Sequence, residues 1–120
     1  MRMNSEAFDR LDLSLVALDQ LWLERCTFVG TDLRHATLDR CRFRFCTFNG
    51  ANLRSASRRY ARFAGCDLRD TDLRDCDLSD VRFGSVNTGA ANAFTDVTGA
   101  LWTPRGLSRA TFERVVGAPD

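Results

Sequence analysis

Apolar positions return along this chain with a period of five. From residue 26 to residue 85 the series reads Phe28, Leu33, Leu38, Phe43, Phe48, Leu53, Arg58, Phe63, Leu68, Leu73, Leu78, Phe83, with Arg58 its one polar member. Two places before each comes a compact residue: Cys26, Thr31, Ala36, Cys41, Cys46, Ala51, Ala56, Ala61, Cys66, Thr71, Cys76 and Val81. The positions between them are mostly polar or charged. A period of five matches neither the 3.6 of a helix nor the 2 of a strand. A short fixed period means stacked like units, each burying its apolar side against its neighbours.

The flanks read less cleanly. Over residues 5–24, Phe8, Leu11, Leu15, Leu18 and Trp22 fit one helical face. Phe8, Leu13, Leu18 and Leu23 equally continue the five-residue phase backwards, and the repeat is the favoured reading. Leu11, Val16 and Leu21 then hold the compact place, as would suit an end coil that must fill and seal its interior. After Phe83 the phase decays. Gly84, Gly89 and Gly99, with Asn87 and Asn92, predict an irregular connection over 86–107. Ser108 reads as a helix N-cap, Phe112, Val115 and Val116 as an apolar stripe, and Gly117 and Pro119 as a stop. A capping helix over 108–116 is expected, with Leu101 and Trp102, to cover the C-terminal end or to serve as a dimer contact.

Thr31-Asp32-Leu33, Ala51-Asn52-Leu53, Cys66-Asp67-Leu68, Thr71-Asp72-Leu73 and Cys76-Asp77-Leu78 carry a further signal. A small residue, Asp or Asn, Leu and two variable residues resemble the motif of the pentapeptide-repeat family, over roughly residues 6–85. The resemblance implies an all-β fold, a right-handed quadrilateral β-helix with four pentads per twenty-residue coil. About four coils at ~4.8 Å each would form the tower, with the C-terminal α-helix as cap, in a single domain over 1–120. Residues twenty apart should then stack. The four central columns would be Phe8, Phe28, Phe48, Leu68; Leu13, Leu33, Leu53, Leu73; Leu18, Leu38, Arg58, Leu78; and Leu23, Phe43, Phe63, Phe83. An unpaired arginine inside a dry tower is very costly. Arg58 is therefore expected to turn outward or to meet an acid, with the corner Ser57-Arg58-Arg59-Tyr60 distorted.

Charge adds a second pattern. Seventeen arginines and no lysine stand against sixteen acids, for a net charge of +1. Residues 1–24 are acidic, 25–62 strongly basic and 63–80 acidic again. No apolar run approaches the ~20 residues that span a membrane, and the first residues lack the apolar stretch of a signal peptide, so a cytoplasmic, bacterial protein without membrane contact is expected. The five cysteines all hold the compact place and have no Cys-x-x-Cys spacing; they read as small buried thiols.

Little in the chain points to catalysis. The register would align His35, Ser55 and Asp75, but a triad needs the histidine between serine and acid, and here Ser55 lies in the middle. Asp67, Asp70, Asp72, Asp75, Asp77 and Asp80 would spread over several faces, whereas Ca²⁺ needs six to eight oxygens at one point. No metal or cofactor is expected. Arg34, Arg54 and Arg74 would stack beside Asp32, Asn52 and Asp72 as a compensated ladder. On the fourth face Trp22, Arg42, Arg62 and Arg82 would stack, with Arg44 beside them and no acid column, and are the candidate binding residues. A non-catalytic, rigid protein-interaction module is therefore expected, as a monomer or as a homodimer through a β-helix end or the C-terminal helix. Two alternatives stand beside it. One, implied by the resemblance, is a DNA-mimic factor that protects a type II topoisomerase, DNA gyrase, and confers quinolone or antibiotic self-resistance. The other is anion or nucleic-acid binding through the arginine face.

Overall fold

A computed structural model describes residues 2–76, 78, 80–87, 92–103 and 110–118. The chain winds as a four-sided β-solenoid of about five turns. The fourth face carries a sheet of parallel strands: β1 (Arg2–Asn4), β2 (Trp22–Glu24), β3 (Arg42–Arg44), β4 (Arg62–Ala64) and β6 (Arg82–Asn87). Their register is twenty residues, with Met3, Leu23, Phe43, Phe63 and Phe83 in one column. The other faces touch mostly through single bridges at the residue before each central one, such as Thr27↔Thr47, Asp32↔Asn52 and Thr37↔Ser57. Among them is the short strand β5 (Asp72–Leu73). Residues 5–24 follow the repeat and not the helical alternative, since Ala7, Asp12 and Ala17 bridge to Thr27, Asp32 and Thr37.

The local rule behind each pentad is a corner. The residue two places after each central one has a left-handed backbone, as at Arg10, His35, Phe45, Tyr60 and Asp75, with φ between 54° and 61°. The N–H three places after the central residue closes the turn, as from Thr31 to the Phe28 carbonyl at 3.3 Å. Between corners the chain donates in both directions, the central residue to the coil above and the residue before it to the coil below. Phe28 N–H donates to Thr47 O at 2.7 Å, and Thr47 N–H donates to Cys26 O at 3.1 Å.

The N–H just after each central residue finds no coil partner on the first three faces, and side chains take it instead. Asp32, Asn52, Asp67, Asp72 and Asp96 each accept it from the residue two places on, at 2.9–3.1 Å. This Asx geometry explains why Asp and Asn recur before the central leucines. The compact residues have a hydrogen-bonding role as well. Thr31, Thr71, Cys41 and Cys76 donate side-chain protons to Phe8, Phe48, Leu18 and Leu53 carbonyls one coil below. All five cysteines are buried free thiols. Burial pushes the Cys41 thiol up to about 11, which makes it inert at neutral pH.

All the expected core residues of the central columns are buried, from Phe28 to Phe83. Phenylalanines stack face to face up each of two columns: Phe28 lies 4.8 Å from Phe48 and Phe43 lies 4.8 Å from Phe63. Neighbouring columns meet edge on, with Phe43 and Phe48 at 5.1 Å. Such offset and edge contacts add to burial. The first coil is looser. Phe8, Leu13 and Leu18 are only half-buried, and Leu11, expected to help seal the end, is 48% exposed.

Three expectations need correction. Arg58 neither turns outward nor distorts its corner. It is fully buried, and its three guanidinium nitrogens have no hydrogen-bond partner. Leu38 N–H still donates to Ser57 O at 2.7 Å and Ala61 N–H to Arg58 O at 3.1 Å. The coil bonds on both sides fix the backbone, so the central position points inward whatever residue holds it. Phe63 lies 5.5 Å beneath the guanidinium. Burial pushes the Arg58 pKa down, and the Cys76 sulfur works against that shift.

The second correction concerns residues 86–107. Strand β6 runs antiparallel to β7 (Asn92–Asp96) as a hairpin, with Ser85 opposite Phe94. The coil then resumes with Val97 N-terminal to β8 (Leu101–Trp102), which pairs with β5. The third concerns the C-terminal helix. No helix occurs among the described residues, and Ser108, its expected cap, lies outside them. β9 (Thr111–Phe112) continues the fourth-face sheet beside β6, and β10 (Val115–Val116) lies on β7. Phe112 stacks on Phe83 at 4.8 Å, so the coil's own backbone bonds and aromatic column claim the stripe that looked helical.

Replacing Arg58 with leucine, the residue of its column, removes an uncompensated buried charge. Arg58→Leu is expected to raise stability by about 1–4 kcal/mol, read as a higher urea midpoint with an unchanged slope. A lower midpoint would show that the guanidinium is satisfied.

Candidate functional site

The arginines divide into two sets by their place in the pentad. On the first two faces the pattern Asp-Leu-Arg puts the acid just before, and the arginine just after, the inward leucine. Arg34 meets Asp32 through two bonds, Nε to Oδ1 at 3.0 Å and Nη2 to Oδ2 at 2.8 Å. Arg69 with Asp67 and Arg74 with Asp72 repeat this fork. Where Asn52 replaces the acid, Arg54 reaches across to Asp75 at 3.0 Å. The ladder read from the sequence is thus formed, rung by rung.

On the fourth face the order reverses: the arginine comes before the inward phenylalanine, in Arg42-Phe43-Arg44, Arg62-Phe63-Ala64 and Arg82-Phe83-Gly84. The register brings Trp22, Arg42, Arg62 and Arg82 into one outward column, continued by Thr111. Arg44 lies in the next column, between Glu24 and Ala64. No acid lies within ion-pair distance of Arg42, Arg44, Arg62 or Arg82 among the described residues; Glu24 is engaged by Arg25 at 3.0 Å. Trp22, 44% exposed, is sandwiched between Arg2 and Arg42, whose guanidinium carbons lie 5.4 and 4.6 Å from its ring centre. Arg25 and Arg44 likewise approach Phe45. These cation–π contacts hold the lower arginines against the face without neutralising them.

Sequence reasoning missed the hairpin that walls this face and the residue Arg114 beyond β9. The wall lies beside the shrinking column Arg44, Ala64, Gly84. Ala93 of β7 packs over the corner at Gly65, where φ is 62° and an added Cβ would come 3.2 Å from the Ala93 Cβ. A cleft of about 510 Å³ opens where β6 leaves the face, lined by Arg62, Ala64, Arg82, Gly84, Ser85, Thr111, Glu113 and Arg114. A signal for it was present: the five-residue phase resumes at Val97, Trp102 and Phe112, one residue out of step, which marks an insertion and not an end.

The other constellations do not converge. His35, Ser55 and Asp75 line one shallow surface hollow, with Ser55 between the other two, and the His35 side chain makes no hydrogen bond among the described residues. Asp75 is held by Arg54 instead. No group of three or more candidate metal ligands gathers among the described residues. Asp77 lies outside them.

A backbone of stacked four-sided coils with inward columns and left-handed corners defines a β-solenoid of pentads. The family model of the pentapeptide repeat region matches residues 16–93 and 36–116, and the chain belongs to the pentapeptide-repeat family. It is similar to a pentapeptide repeat protein from Nostoc Pcc 7120, at 16% identity over 91% of this chain and 79% of that one, with a TM-score of 0.54. It is also similar to trypsin-treated QnrB1, a plasmid-mediated fluoroquinolone resistance protein, at 16% identity over 93% and 72%, with a TM-score of 0.46. A pentapeptide repeat protein from the Arabidopsis thaliana thylakoid lumen is similar at 21% identity over 88% and 60%, with a TM-score of 0.41. Likeness at these identities is one of fold. No curated protein matches the chain.

The paired carboxylates predict an acid response. The Arg34 side chain above all holds Asp32 below the usual carboxylate range, and Arg74 does the same for Asp72. A depressed folded pKa gives stability that is present above the ordinary carboxylate pKa and is lost as pH falls through the folded value. Asp72→Asn is therefore expected to cost up to about 1 kcal/mol at neutral pH, the range for partly exposed pairs. At acid pH, once Asp72 is protonated, the difference from the unmodified protein should have vanished. Denaturant titrations at both pH values check this, and an undiminished difference at low pH would assign Asp72 a role independent of its charge.

Proposed function

We propose that this protein is a non-catalytic interaction module whose fourth face docks on an acidic surface of a protein partner. The observation that carries the reading is the contrast between the two arginine sets. Arg34, Arg54, Arg69 and Arg74 are each held by an aspartate. Arg42, Arg62 and Arg82 stand in register on a rigid sheet and form no ion pair among the described residues. Their backbone is fixed by coil bonds, so docking orders only side chains, and a preorganised surface loses less entropy on binding. A planar guanidinium forks onto a carboxylate in two parallel bonds, and adjacent coils place such forks ~4.8 Å apart, close to the spacing of side chains on paired strands.

A protein is favoured over nucleic acid because the basic footprint is short. It spans the middle coils, while the first coil and the stretch 63–80 carry net negative charge, so a long duplex laid along the tower would meet both signs. Topoisomerase protection by DNA mimicry calls for a continuous acidic face. Here Asp32, Asp67, Asp72 and Asp75 are committed to arginines, and the outward column of the fourth face carries Arg42, Arg62 and Arg82.

Titration with poly-L-glutamate, with a short DNA duplex as comparison, tests the reading. Poly-L-glutamate is expected to bind and to weaken steeply with added salt. Arg42→Gln with Arg62→Gln should weaken it at least tenfold, while Arg34→Gln, outside the face, should leave it within about twofold. Equal losses from both would mean diffuse charge attraction. A duplex bound more tightly than poly-L-glutamate would replace the protein partner with nucleic acid.

A further inference from the structure

The cleft at the top of the fourth face, beside Ser85 of β6, differs in kind from the open column below it. It has walls, and its charge is unbalanced in a defined way. Arg62, Arg82 and Arg114 contribute three positive charges and Glu113 one negative, leaving two positive charges among the lining residues. None of these four side chains forms an ion pair among the described residues. The Ser85 and Thr111 hydroxyls add neutral donors, and Ala64 and Gly84 keep the floor low.

The fold holds these groups in place. Arg62 and Arg82 are partners in the β4–β6 register, and Arg82 pairs with Thr111 in turn. Arg114 occupies the left-handed corner two places after Phe112, with φ 55°, and Glu113 N–H donates to Phe83 O at 2.9 Å. At the equivalent place after Phe83 the chain does not turn. β6 runs on through Ser85 to Asn87, and this straightened corner supplies the wall. The volume, about 510 Å³, falls within the range of small-molecule sites, ~300–1,000 Å³, and exceeds what a bare oxyanion fills.

We infer that this cleft binds a small molecule bearing a terminal phosphate, with Arg62, Arg82 and Arg114 clamping the dianion and the organic part lying over Ala64, Gly84 and Ser85. Two net positive charges match a phosphomonoester dianion better than a carboxylate or sulfate monoanion. Arginine forks suit phosphate oxygens bidentately, and two guanidinium groups on adjacent coils can share one tetrahedral anion. Glu113 sets a requirement: its carboxylate repels the anion, so the ligand must present a donor toward it or tolerate its charge. The inference rests on the reading of the fourth face in one respect, that Arg62 and Arg82 are unpaired. Arg114 and Glu113 belong to the cleft alone.

Calorimetric titration with phenyl phosphate at slightly alkaline pH, where it is a dianion, tests this, with phenyl sulfate as the monoanion of like shape and inorganic phosphate as the bare group. Phenyl phosphate is expected to bind at one site, at least tenfold more tightly than phenyl sulfate and more tightly than inorganic phosphate. Arg114→Gln should weaken phenyl phosphate at least tenfold while leaving poly-L-glutamate binding unchanged. Glu113→Gln should tighten phenyl phosphate several-fold, a gain that misfolding could not produce. No saturable binding at millimolar phenyl phosphate would overturn the inference. So would equal affinity for the sulfate, or indifference to both substitutions. Loss of poly-L-glutamate binding with phenyl phosphate binding intact would remove the proposed protein interface and leave the cleft standing.

Discussion

The structure depends on a strained corner repeated every five residues. From Ser5 to Asp80 every fifth residue has φ between 54° and 66°, and only Gly30, Gly50 and Gly65 among them are glycine. A left-handed backbone costs an ordinary residue roughly 1–2 kcal/mol, and bulky Phe45 and Tyr60 accept it too. Such strain persists only where its surroundings over-determine it. Here each corner is bracketed by hydrogen bonds to the coils above and below, and no single residue can relax without breaking bonds on two levels. Register, inward columns and outward columns all follow from that.

Arg58 shows how strict the constraint is. The desolvation of one guanidinium, taken alone, predicts that the side chain escapes. The structure weighs it against coil bonds on both sides and keeps it inside, against Phe63 and near Cys76. The error lay in treating the side chain as free to choose its direction. In an isolated strand a one-residue adjustment would flip the residue outward. In a solenoid locked at twenty residues per turn it cannot, because Ser57 and Arg59 are each bonded to the coil below.

The repeat was legible because its period is unlike any other regular structure, and because Phe and Leu fill the central place almost without exception. The arginine ladder was legible for the same reason: once the period is known, Arg34, Arg54 and Arg74 fall in one column by counting. The hairpin and the last coil were not, since both depend on events outside the period. The hairpin inserts between Phe83 and Val97, and counting in fives from Phe83 lands one place beyond Val97 and loses the phase. Phe112, Val115 and Val116 then look helical, because a spacing of three and four also fits one helix face. Only the pairing of Thr111 with Arg82 and of Val115 with Thr95 resolves the ambiguity, and pairing is long-range information. The side-chain donations from Thr31, Cys41, Thr71 and Cys76 were equally hidden, since a compact residue in an apolar column reads as filler.

One change of residue order ties the candidate site to the fold. On the first three faces an aspartate or asparagine before the central leucine often takes the following N–H and turns the chain at once, leaving single bridges between coils. That same aspartate holds the arginine after it. On the fourth face Trp22, Arg42, Arg62 and Arg82 occupy that place and can accept nothing from the backbone. The N–H groups there stay in the sheet, and β1 to β4 and β6 run for three residues or more. The arginines also keep their charge unanswered. Loss of the acid therefore does two things together: it frees the cations, and it makes this the face on which a strand can run straight past a corner. β6 does so at Ser85, and the hairpin it begins becomes the wall of the cleft. The unpaired charge and the concavity that could use it have a common origin in the sequence.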